Sequence, residues 1–133
     1  MSNVNDLIGR LLDEDSNIYA VAVVDQSGNL ITQTENWDIS NDLDQINELL
    51  RTKLELGQKG MSSIHIQGVK YMIVENTEER KIGTNIQGQG HLIICPVPVG
   101  GNGGLITYIN PAVGPRDALL TVQNYAQQMS GLI

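Results

Sequence analysis

The order of apolar patterns along the chain predicts an α+β fold in which helices cover a central antiparallel β-sheet. Apolar residues recur at helical spacing near both ends of the chain and once in between. Short, partly β-branched runs bounded by Gly, Asn and Ser fill the remaining length. The later runs are joined by connections too short for crossover helices, so consecutive strands become antiparallel neighbours. With 133 residues, a single domain spanning 1–133 is expected.

Val4, Leu7, Ile8, Leu11 and Leu12 share one stripe of a first helix, with Ser2, Asn3 and Asn5 as candidate caps and residues 13–17 as a polar stop. The run 18–24, a turn at 26–29 and an outgoing run 30–33 read as a β-hairpin. Ser40 or Asn41 can cap a second helix carrying Leu43, Ile46, Leu50 and Leu54, with Gly57 and Gly60 marking its end. Four strands follow at 64–67, 69–75, 80–86 and 91–95. Pro96 and Pro98 each lack a ladder donor, so the last of these should stop there or lie at an edge. After a glycine-rich loop at 100–104 comes a strand at 105–110. Gly114-Pro115 then reads as an N-cap with proline at the first helical position. The helix it opens carries Ala118, Leu119, Val122, Ala126 and Met129 on one face. Each terminal helix has a single apolar stripe to bury, so the two should pack side by side on the sheet.

Composition narrows the function. A net charge of −7 argues against the basic stripe needed to displace counterions from nucleic acid, and one Trp, four Tyr and no Phe provide few stacking platforms. No apolar run approaches the roughly 20 residues of a membrane span, and the first residues lack a secretion signal, so the expected location is cytoplasmic. The single cysteine, Cys95, lies in an apolar run and reads as a buried thiol. Neither His65 nor His91 belongs to a cluster with metal-ligand spacing, and no metal or other cofactor is expected. Gly88-Gln-Gly90 and the 100–104 loop run into strands, the wrong context for dinucleotide or phosphate loops. Asp42, Asp44 and Glu48 start a helix, where negative charge suits the dipole. Nothing demands catalysis, and a binding protein is expected.

The stretch 63–75, SIHIQGVKYMIVE, resembles the middle strands of profilins, and 19–30 is similar to the first profilin hairpin. Gly88-Gln-Gly90, the strand after it, 104–109 and the helix opened at Gly114-Pro115 follow in that family's order, so the resemblance spans nearly the whole chain. It implies a profilin-like central antiparallel sheet of about six to seven strands, with the N- and C-terminal helices on one face and a middle helix on the other. It also implies a monomer that binds monomeric actin or an actin homologue, regulates its polymerisation and nucleotide exchange, and is associated with the cytoskeleton. Carried over by position, the resemblance assigns actin binding to Lys70, Lys81, Asn85, Gln89, His91, Gly114, Pro115 and Arg116, with the three cations on the patch and Lys70 and Arg116 exposed. Glu75 stands where several animal profilins have arginine, and 84–87 lacks a lysine pair common in plants.

Family members grip polyproline with aromatic residues of the terminal helices. The first helix here has none, which leaves Tyr125 as the one candidate ring and implies weak or absent polyproline binding. For phosphoinositide lipids the candidate cluster is Arg51, Lys53 and Lys59. The low aromatic content resembles the divergent profilins of Asgard archaea. Among other readings, a roadblock- or longin-like dimeric regulator of a small GTPase shares the helix and sheet content and is the alternative. A PAS- or GAF-like sensor would need a cavity between sheet and helix.

Overall fold

The structure, a computed structural model, describes residues 3–51 and 63–133. Helix α1 (Val4–Glu14) is followed by strands β1 (Ile18–Val24) and β2 (Leu30–Gln33), a 3-10 turn (Ser40–Asp42) and helix α2 (Leu43–Arg51). Then come β3 (Ser63–Ile66), β4 (Val69–Asn76), β5 (Lys81–Thr84), β6 (His91–Val97), β7 (Gly103–Ile109) and α3 (Arg116–Met129). The seven strands form one sheet in the order β2-β1-β7-β6-β5-β4-β3, antiparallel at every pairing.

The two faces of the sheet hold separate cores. On one, Leu7, Ile8 and Leu11 of α1 and Ala118, Val122, Ala126 and Met129 of α3 meet Val21, Val23, Ile93, Cys95, Leu105 and Ile109. On the other, Ile46, Leu49 and Leu50 of α2 meet Ala20, Ala22, Leu92, Ile94 and Ile106, joined by Trp37 and Tyr71. The terminal helices thus share one face and the middle helix takes the other, as the apolar stripes and the resemblance imply. At β7, α2 comes so close that a Cβ on Gly104 would lie 2.8 Å from a Leu50 methyl. Only a glycine lets the helix sit at that height.

Several boundaries differ from the sequence reading. Asn3 is the cap that forms, its Oδ1 accepting from Asp6 N at 2.9 Å. Ser40 caps nothing, because Asp38 Oδ1 accepts from both Ser40 N and Ser40 Oγ and makes the turn itself. Leu54, Gly57 and Gly60 lie outside the described residues. Strand β6 does not stop at Pro96 but pairs through it to Val97, opposite Gly103 and Gly104 of β7, so β7 begins two residues early. Proline is tolerated there because β5 pairs with β6 only as far as Ile94, which leaves the far side of β6 without a ladder to supply. Pro115, not Gly114, is the residue flanking α3, and it has no side chain that can cap.

Edge strand β3 is protected by α2 and the turn before it. Gln45 Oε1 accepts from His65 N at 2.8 Å and Asp42 Oδ2 from Gln67 N at 3.0 Å, which uses up amides that would otherwise offer a pairing edge. The acidic start of α2 therefore does more than complement the helix dipole.

Leu11 and Val122 are fully buried where α1, α3 and the sheet meet. Leu11→Asp and Val122→Asp each bury a carboxylate with no cation to pair it, at an expected cost above about 3 kcal/mol. Loss of the cooperative thermal transition is the expected outcome in circular dichroism. A wild-type melting temperature in either variant would rule out this packing.

Candidate functional site

Cross-strand register identifies the side of the sheet on which each candidate lies. Met72 pairs with Thr84, Thr84 with His91, and His91 with Ile109, which points into the core under α1 and α3. Paired residues of an antiparallel ladder share a face, so Met72, Thr84 and His91 lie on the terminal-helix face, and Lys70, two residues from Met72, lies there too. Helix α3 packs on β6 and β7, and α1 packs on α3 and β1. Strands β3 and β4 extend past the helices, leaving Lys70 and His65 exposed and Met72 half-buried. Thr84 Oγ1 and His91 Nδ1 are 3.1 Å apart, so the imidazole is held against the sheet.

A β-bulge between Ile73 and Glu75 interrupts the pairing of β4 and brings Glu75 opposite Ile82. The side chain of Ile82 belongs to the core under α3, so Glu75 is directed to the same face, at the foot of that helix. There it gathers two guanidinium groups. Arg80 Nε donates to Glu75 Oε2 at 2.6 Å, and Arg116 Nη2, from the first residue of α3, donates to Glu75 Oε1 at 3.2 Å. The Arg80 hydrogen bond, helped by Arg116, holds the Glu75 carboxyl below the usual carboxylate range. The sequence offers Arg116 and Glu75 separately and gives Arg80 no place among the site residues. A bulge has no sequence signature that would have joined them.

Of the eight positions carried over, the structure places Lys70, Gln89, His91, Gly114, Pro115 and Arg116 at or beside this face with at least part of each accessible. Lys81 does not belong with them. It pairs with Ile94 and so lies on the α2 face, 2% exposed, donating to Asn76 Oδ1 at 2.5 Å and Thr77 O at 3.3 Å. The expected place of Lys81 on the patch fails because β5 alternates and Ile82, not Lys81, occupies the terminal-helix side. Asn85 is also buried. Its Nδ2 donates to Lys70 O at 2.8 Å and its Oδ1 accepts from Gln87 N and Gln89 N, so it builds the β5–β6 turn and cannot be a free contact group. That turn is locked further by Tyr108, whose hydroxyl donates to Gln89 O at 2.6 Å. Gly90 has φ +116°, and a Cβ there would fall 2.5 Å from the Tyr108 ring, so glycine is required.

Tyr125, the candidate ring for polyproline, is 7% exposed and packed in the core with α1 and α3. Arg51 is exposed at the end of α2, whereas Lys53 and Lys59 lie outside the described residues. Four of the chain's five aromatic residues, Tyr19, Trp37, Tyr71 and Tyr108, instead line a cavity of about 410 Å³ on the α2 side. Cys95 is buried as expected, and burial pushes its thiol up to about 12. Among the described residues no cluster of His, Cys, Asp and Glu could hold a metal ion, and no helix is long and apolar enough to cross a membrane.

No protein-family profile matches the chain. Among curated proteins, Loki profilin-1 of Lokiarchaeum sp. (strain GC14_75) is 58% identical over 130 residues, covering 98% of this chain and 97% of that protein. Odin profilin of Odinarchaeota yellowstonii (strain LCB_4) is 34% identical over 131 residues, 98% of this chain and 99% of that one. Among solved structures, a chain of the complex between Loki profilin-2 and rabbit actin superposes with a TM-score of 0.95 at 57% identity, covering 100% of both chains. Profilin IB of Acanthamoeba castellanii shares the fold with a TM-score of 0.68 at 13% identity, covering 92% of this chain and 93% of its own.

Lys81 gives a pH dependence that separates its buried position from a surface one. Burial lowers its pKa from the ordinary 10.5 to about 8, so between these values the unfolded chain holds a proton that the folded chain has lost. Stability then rises with pH through that window, having carried the full penalty of a buried ammonium below pH 8. The Cys95 thiol works in the opposite direction only above its ordinary 9.0. From pH 8 to 9 the wild type should gain up to about 1 kcal/mol in urea unfolding. Lys81→Met should lose that gain, and equal slopes in the two proteins would place Lys81 in solvent.

Proposed function

The chain belongs to the profilin family, and from that membership we propose that it binds monomeric actin or an actin homologue, regulates its polymerisation and promotes exchange of its nucleotide. The observation that carries this is the match, end to end and at a TM-score of 0.95, to a profilin chain solved in complex with rabbit actin. In this reading residues 1–133 act as one binding domain, a monomer that works by association and not by catalysis. Its place in the cell is the cytoplasm, with the cytoskeleton. The small-GTPase regulator of the roadblock or longin type has no support beside a profilin match over 98% of the chain.

The patch proposed to meet actin is the uncovered part of the terminal-helix face. Lys70, Met72 and His91 supply the sheet surface, Gln89 the neighbouring turn, and Gly114, Pro115 and Arg116 the rim where α3 begins. Lys70 and Arg116 are both exposed, so replacing them tests the patch without touching the core. Wild-type protein in several-fold excess should slow spontaneous actin assembly by holding monomers. Lys70→Glu/Arg116→Glu, which opposes an acidic partner, should lose most of that effect with an unchanged melting temperature. An unchanged polymerisation time course with wild-type protein, using both a eukaryotic actin and the host's own homologue, would reject the reading.

Polyproline binding is proposed to be weak or absent, since α1 has no aromatic residue and Tyr125 is buried. Phosphoinositide binding is proposed at Arg51, Lys53 and Lys59. Calorimetry with a decaproline peptide should register no binding in the micromolar range. Co-sedimentation with phosphoinositide vesicles should fall after charge reversal at Lys53 and Lys59, and retained binding would exclude this cluster.

A further inference from the structure

Resting on the actin-binding reading, we propose that Glu75 is a specificity-determining residue that restrains association by holding the arginines of the binding face in ion pairs. Three cations border this face: Lys70 on β4, Arg80 just before β5 and Arg116 at the start of α3. Two of them converge on one carboxylate. Glu75 takes Arg80 at 2.6 Å and Arg116 at 3.2 Å, one guanidinium on each oxygen, while Glu79 Oε2 lies 3.7 Å from Arg80 Nη1. Among the described residues Lys70 makes no ion pair.

The two arginines are held differently. The side chains of Arg80 and Glu75 are 26% and 22% exposed, and their short contact forms a partly shielded pair. Arg116 is 65% exposed and reaches Glu75 from across the boundary between α3 and the sheet. An exposed pair of this kind contributes little to stability, so a partner's carboxylate can compete for the guanidinium. Its electrostatic consequence reaches further. A unit of negative charge beside two arginines reduces the attraction that an acidic surface experiences on approach, and association rates respond to such charges over about a Debye length. The chain as a whole carries −7, so this cluster decides whether an acidic partner meets any positive field on the patch.

The chemistry points to a partner surface that offers carboxylates to Arg116 and Lys70 while tolerating Glu75 behind them. Glu75→Gln keeps the side chain's size and a hydrogen-bond acceptor for Arg80 but removes the charge. It should raise the association rate constant with actin monomers roughly threefold at low ionic strength. The gain should shrink as salt is added, and the dissociation rate should change less. In a double-mutant cycle, Arg116→Gln should abolish most of the gain, because the charge released by Glu75→Gln is then missing. Asp44→Asn, exposed in the first turn of α2 on the opposite face of the sheet, serves as a control for the change in net charge and should have little effect.

Stopped-flow mixing with fluorescent actin at two salt concentrations reads all five proteins: the wild type, Glu75→Gln, Arg116→Gln, the double variant and the control. Wild-type binding with an unchanged or slower rate in Glu75→Gln overturns this inference alone. An equal gain in Asp44→Asn also overturns it, because net charge and not Glu75 would then be responsible. Absence of wild-type binding overturns the actin reading and this inference together.

Discussion

The constraint on which the structure depends is that the middle of its sheet is buried on both faces. Strands β1, β6 and β7 are covered almost throughout, so their apolar residues do not alternate with polar ones as in a one-sided sheet. Each face therefore needs its own layer of helix. The terminal helices form one layer by packing on each other and across the sheet, and α2 forms the other. Among the described residues the helices do not cover the whole sheet, and the uncovered area of the terminal-helix face falls where β3 and β4 project past α1 and α3. The face proposed to bind is thus a consequence of coverage: it is the part of the sheet that the apolar stripes do not reach.

Edges and turns around that area are held by specific polar contacts. Side chains of Gln45 and Asp42 occupy one amide of edge strand β3 and one of the turn after it, which hinders pairing of that flank with another chain. Asn85 and Tyr108 fix the β5–β6 turn from opposite sides. A surface built in this way changes little in shape when a partner arrives, and the ordering cost of binding is correspondingly low.

The helical stripes, the hairpin and the succession of strands were legible in the sequence because each rests on a local periodicity. The division of the faces was legible from the resemblance and from the single stripe on each terminal helix. The sequence reading went wrong where long-range pairing decides. Pro96 suggests a strand end or an edge; β6 runs past it, and Pro96 lies at a local edge because β5 has already finished. Lys81 and Asn85 look like polar surface positions, and register together with the β5–β6 turn buries both. The Glu75 cluster was not legible at all, since a bulge in β4 and the start of α3, 41 residues away in sequence, have to meet before it exists. A cluster of that kind depends on tertiary placement, to which neither composition nor spacing has access.

Charge and apolar area divide the work on this face, under the actin-binding reading. Because two of the three cations share the single carboxylate of Glu75, electrostatic attraction to an acidic partner is reduced, and affinity has to come largely from buried apolar surface. The exposed apolar residues are placed for that. Leu120 is 75% exposed and lies one helical turn beyond Arg116, on the same stripe of α3, while Ile86 is 84% exposed in the turn that Asn85 and Tyr108 hold rigid. Met72 is half-buried on the terminal-helix face of the sheet. Isolated exposed leucines and isoleucines are ordinary in any protein. Here they border a face whose charges largely cancel, and that combination suits a partner recognised by shape and apolar contact, with Lys70 and Arg116 setting the rate of approach.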